Sequence, residues 1–157
     1  MPRHPSLTRL LALAGSLGCA LTACAPGAYD VSVPTPGSAA ADTACTALHD
    51  ALPPQLGGHG SRDTAPPSDL TAAWGRPAIT LRCGVPRPAD LSATSQLLRV
   101  DGVDWFPEAL TAGYRFTTVG RVADVEVDVP DDYAPEAALL TGLAAPVREN
   151  LPPLPTR

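Results

Sequence analysis

Lysine is absent from this 157-residue chain, in which all eleven basic residues are arginine. That excludes Schiff-base chemistry and every serine mechanism that recruits a lysine base. There is no Gly-x-Ser-x-Gly elbow and no glycine-rich phosphate loop. His49 and His59 lie outside any His-Glu-x-x-His spacing that would set metal ligands on one helical face, so no metal site or cofactor is expected. Long hydrophobic runs are missing too, because the longest, Leu10 to Leu21, is too short to span a bilayer comfortably.

That run has a different use. Arg3 and Arg9 precede it and small residues follow, the layout of a secretory signal over residues 1–23 that is removed from the mature chain. At its end Leu21, Thr22, Ala23 and Cys24 resemble the lipobox of bacterial lipoproteins: an apolar residue three positions before a cysteine, then two small residues. The resemblance implies that Cys24 is acylated on sulfur, becomes the new N-terminus and ties the protein stably to the membrane. The plainer alternative is an ordinary signal with Cys24 a bystander.

Loss of residues 1–23 leaves nine arginines against sixteen acidic residues, a net charge of −7. That sign speaks against nucleic acid or anionic lipid as a partner. Cys19 departs with the signal and Cys24 carries lipid, so Cys45 and Cys83 remain as a pair in an oxidising compartment. Closing a loop of about 39 residues would stabilise the fold by roughly 4 kcal/mol in the chain-entropy model. Two buried free thiols are the other reading of the same pair.

Nineteen prolines and thirteen glycines argue for a tethered, loop-rich domain rather than a helical bundle. Residues 24–39 are small, proline-bearing and almost uncharged, and read as a tether; residues 40–151 then form a single domain. Asp42 is the predicted N-cap of a helix whose stripe is Cys45, Leu48 and Leu52, ended by Pro53 and Pro54. Pro53 to Asp69, which holds His59, is too turn-rich for a regular element and is expected as a long loop. Ile79, Leu81, Cys83 and Val85 alternate with Thr80 and Arg82, a strand with one core face.

Asp101-Gly102 between apolar runs predicts a type I′ hairpin, with Arg99 opposite Asp104, Leu98 opposite Trp105 and Leu97 opposite Phe106. A second hairpin, Ala112 to Val129, is expected to turn at Gly120-Arg121. That register sets Phe116 opposite Val125, Tyr114 opposite Val127, Arg115 opposite Glu126 and Thr117 opposite Asp124. Glu136 to Asn150 has helical spacing, but Pro146 limits the expected regular part to its first half. Residues 152–157 read as an unstructured tail. The sum is an α+β, two-layer domain: a mostly antiparallel sheet of about five strands with two helices on one face.

The strongest chemical pattern is acidic. Asp124, Glu126 and Asp128 point to one side of a strand and could hold Ca²⁺ or a cationic ligand. Alternation of this kind is also what a solvated strand face looks like.

The segments around Cys45, Leu48 and Leu52-Pro53, then WGRPAITLRCGVPRP, VDGVDWF, FTTVGR and VEVDVP, together resemble an actinobacterial family of secreted lipoproteins that carries a domain of unknown function numbered 3515. The resemblance implies a lipid-anchored cell-envelope protein and brings no catalytic residues. The expected function is a non-enzymatic binding module on the extracytoplasmic face of the membrane, its partner an envelope protein or a cell-wall component. The alternative is an envelope hydrolase that uses the surface carboxylates.

Overall fold

The computed structural model describes residues 27–155, so the signal segment and Cys24 lie outside the described residues. The centre of the fold is the strand β6, Ile79–Val85, in which Ile79, Leu81 and Cys83 are buried on one face. Around it, in chain order, stand β1 (Tyr29–Asp30), α1 (Ala39–Asp50), β2 (Gln55–Leu56), β3 (His59–Arg62), β4 (Thr64–Ala65) and β5 (Thr71–Trp74). After it come β7 (Leu98–Val100), β8 (Val103–Leu110), β9 (Gly113–Thr118), β10 (Asp124–Val129) and α2 (Thr141–Asn150).

The fold is α+β with an antiparallel main sheet and two helices, but that sheet has eight strands, in the order β2-β3-β5-β6-β10-β9-β8-β7. The three strands beyond the expected five are β2 and β3, within Pro53 to Asp69, and β5 just after it, while β4 pairs with β1 outside this sheet. Three short strands occupy that predicted loop, and His59 lies in one of them. His-Gly-Ser-Arg has neither β-branched residues nor alternation, so its strand state comes from pairing with β5 and not from propensity.

α1 lies on the apolar face, where Cys45 and Leu48 are fully buried and Cys45 is disulfide-bonded to Cys83 with the Cα atoms 5.5 Å apart. Its N-cap is Ser38, whose side chain accepts from the Ala41 amide at 3.1 Å, and not Asp42, which falls in the first turn. Leu52 lies past the helix end and packs half-buried on the core. Glu136–Leu140 tightens into a 3-10 helix and the α-helix runs on to Asn150 with Pro146 inside it, the reverse of the expected division. The proline costs about 3 kcal/mol. Complete burial of Leu143 and Val147, at roughly 1.5–3 kcal/mol each, outweighs it.

The Asp101-Gly102 turn has φ of 44° and 82°, both positive as a type I′ turn requires. It pairs Arg99 with Asp104 and Leu98 with Trp105, while Leu97 lies outside the strand. The second hairpin turns differently. Residues 119–123 connect β9 to β10, which slides the register by two and pairs Phe116 with Val127, Tyr114 with Val129, Arg115 with Asp128 and Thr117 with Glu126. Because side chains repeat every two residues, the slip keeps every residue on its expected face and changes only its partner.

Val100 and Val103 flank the two-residue turn and Val119 donates to the Asp104 carbonyl, so odd-numbered residues of β8 direct their backbone groups toward β7. β7 is three residues long against eight in β8. Pro107, an odd position beyond the end of β7, therefore faces the open edge without an N–H to offer.

The segment expected as a tether is packed from Gly27 onward. Tyr29 and Val31 donate to the carbonyls of Asp63 and Ala65, which makes β1 and β4 a short parallel pair on the sheet's outer face. Val31 is buried, and Pro36 then crosses β6 at Gly84. A Cβ at Gly84 would sit 2.8 Å from the Pro36 ring, and its φ of +88° also demands glycine. At the other end, Val122 donates to the Pro152 carbonyl and Leu154 to that of Gly120, so residues 152–154 of the expected unstructured tail run along the β9–β10 connection.

Candidate functional site

β10 reads Asp-Val-Glu-Val-Asp-Val, and its strand alternation buries Val125, Val127 and Val129 under the helices while Asp124, Glu126 and Asp128 turn to the outer face. There the carboxylates meet arginines from both neighbouring strands. Arg82 of β6 donates from Nε to Glu126 Oε1 at 2.9 Å and approaches the same oxygen with Nη2 at 2.7 Å. Arg115 of β9 clamps Asp128 through Nε and Nη2, both at 2.8 Å, and reaches Glu126 Oε2 at 3.3 Å. The hydrogen bonds that Arg115 donates to Asp128, with charge support from Asp128 and Glu126, drive its guanidinium above its ordinary pKa against the opposing effect of burial.

Glu126 is 7% exposed, so its charge depends on those two guanidinium groups. A cation seeking oxygen ligands here would have to displace two formed arginine pairs. Asp124 stands apart at an irregularity in the β10–β6 register. Burial pushes its carboxyl up to about 6, with Arg87 pulling the other way. Among the described residues no group of three or more His, Cys, Asp or Glu gathers as a metal site.

Two concave features flank this face. One, of about 360 Å³, lies between Tyr29–Ser32 and the outer surface of the sheet and is lined by Arg82, Arg115 and Asp128. The other, of about 630 Å³, lies at the edge of β5, where β3 pairs only through Ser61 and Arg62 before the chain departs into β4. Its walls mix Leu52, Pro53, Pro54 and Ala72 with His49, Asp63 and Asp69. In its lining, the Thr64 and Thr71 hydroxyls lie 3.0 Å apart and Thr71 Oγ1 donates to the Ser68 carbonyl at 3.3 Å. In that chain Thr64 must donate to Thr71, which leaves the Thr64 oxygen an acceptor. The buried Trp74 ring backs the groove and is held by its Nε1 donating to the Pro53 carbonyl at 2.9 Å.

The sequence places a strand at Ile79–Val85, the partner of β5, but no strand at Thr71–Trp74, and so misses this groove. Its polar lining comes from a segment whose glycines and prolines read as a loop. The one signal that points to it is the pair Thr64 and Thr71, two β-branched hydroxyl residues on either side of Pro66 and Pro67.

Residues 9–156 match the profile of the family described as Protein of unknown function (DUF3515). The chain belongs to the DUF3515 family. No curated protein matches it, and no solved structure does. What this DUF3515 chain offers chemically is therefore read from its own geometry: an arginine-neutralised acidic face beside a groove lined with hydroxyl groups. No helix among the described residues is long and apolar enough to cross a membrane.

Proposed function

We propose that this protein is a non-enzymatic binding module held by lipid on Cys24 at the outer face of the cell membrane. The observation that supports the binding role is the groove of about 630 Å³ at the β5 edge. Its size lies within the range of roughly 300–1000 Å³ typical of sites for small molecules or short polymer segments. Ser61 and Ser68 offer it hydroxyl groups and Thr64 an acceptor oxygen, with Arg62, Asp63, Asp69 and His49 at its walls. That lining suits a polar cell-wall component rich in hydroxyl and amide groups.

The hydrolase alternative loses weight because Glu126 and Asp128 are committed to Arg82 and Arg115. Acid catalysis would then rest on Asp124 alone, whereas glycoside hydrolysis ordinarily needs a second carboxylate at a defined distance.

Cosedimentation of the mature chain with purified cell walls tests the reading. Wild type is expected in the pellet, and Ser61→Trp, an exposed strand position on the groove wall, is expected to release it. Equal retention of both proteins, or no retention of either, sinks the cell-wall assignment.

A further inference from the structure

We infer that the corner of the domain around Gly27, Tyr29 and Arg62 rests directly against the lipid surface, with no flexible spacer between anchor and fold. The inference rests on the lipid reading of Cys24 and adds an orientation to it. At Gly27, the first described residue, Arg62 Nη2 donates to the carbonyl at 3.0 Å while Nη1 donates to the Gly75 carbonyl at 3.2 Å. One guanidinium thus ties the first described residue to the β5–β6 turn. It also lies 5.7 Å from the centre of the Tyr29 ring. The parallel pairing of β1 with β4 and the burial of Val31 hold the next residues down.

Only Cys24, Ala25 and Pro26 are left between the acyl-bearing sulfur and this clamp. Three residues reach about 10 Å at full extension, roughly the depth of a headgroup layer and far less than the width of the domain. The corner that meets the bilayer has chemistry suited to it. Tyr29 is 38% exposed, an amphipathic ring at headgroup level, and Arg62 offers an aliphatic stem with a charged tip.

Asp30 and Asp63 flank the corner, and the mature chain is net −7, so charge does not draw the domain down. The short link holds it there. Strand directions place the Asp101-Gly102 turn at the opposite end of the sheet and beside its opposite edge strand, so that turn and Arg99 point away from the membrane.

Energy transfer from a dye on an introduced cysteine to acceptor-labelled lipid, with the acylated full chain in phosphatidylcholine vesicles, tests the orientation. The expected result is transfer several-fold stronger from Ala28→Cys than from Arg99→Cys. Insertion of twelve Gly/Ser residues between Pro26 and Gly27 is expected to remove that difference. Equal transfer from the two positions with the native link overturns the inference. Intact mass is measured on the same samples: an unacylated chain sinks the lipid reading, and the orientation falls with it, whereas an acylated chain with equal transfer sinks the orientation alone.

Discussion

The two faces of the main sheet are built from the same strands by opposite means. Under the helices, Val125, Val127, Leu81 and Trp105 are completely or almost completely buried, and a covalent bond joins α1 to β6. On the outer side, the intervening residues of the same strands form a file of ion pairs: Arg82 with Glu126, Arg115 with Asp128, and Arg99 with Asp104. The apolar face tolerates any register that keeps its side chains inward, because burial has no direction. The ionic face is more selective, because a guanidinium must find a carboxylate within hydrogen-bond distance. Core burial makes the fold, and the ion pairs select how the strands align.

The sharpest way to break that contrast is to cut the covalent bond. Replacing both Cys45 and Cys83 by Ala is expected to cost about 4 kcal/mol, the loop-closure entropy of a 38-residue separation, read as a fall in the urea midpoint. A loss below about 1 kcal/mol would move the weight of the core elsewhere. Next in size is the outer face. Arg115→Ala strips Asp128 of its bidentate partner and leaves Glu126 to Arg82 alone, with an expected cost of about 2 kcal/mol. If this change costs as much as losing the disulfide, the ion pairs do more than select the register.

The smallest effect belongs to Asp124 and depends on pH. Its folded carboxyl is raised from 3.8 to about 6, so the stability it lends is complete below about pH 4 and is lost as pH rises through 6. Asp124→Asn is therefore expected to be more stable than wild type at pH 7.5 and equal to it near pH 4. Partial access to water keeps the gain on the order of 1 kcal/mol. Denaturation curves at the two pH values check this, and a gain that persists at pH 4 contradicts it.

This contrast also explains what was legible in the residues. Alternation and the Asp-Gly turn are local signals, so β6, the β7–β8 hairpin and the burial of Cys45 and Leu48 could be read directly. Partners across the sheet are not local. A two-residue turn pairs Arg115 with Glu126, and the longer connection moves its main contact to Asp128 while keeping a 3.3 Å approach to Glu126. β2, β3 and β4 were illegible because tertiary pairing made strands of residues with little strand propensity. The groove at the β5 edge is a product of those strands and was hidden with them. Within the segment that reads as a tether, Tyr29 and Val31 find their backbone partners in Asp63 and Ala65, more than thirty positions away and equally invisible to local signals.

Pro107 bears on how copies of this protein behave in a crowd. An antiparallel sheet with a free flank is a template on which a second chain can add a strand, and repetition of that step leads to fibrils. At the β7 end the exposed part of β8 presents a residue that cannot donate, and at the other end β2 is only two residues long. Neither flank gives an incoming strand a continuous row of donors, so the sheet ends where its own chain ends.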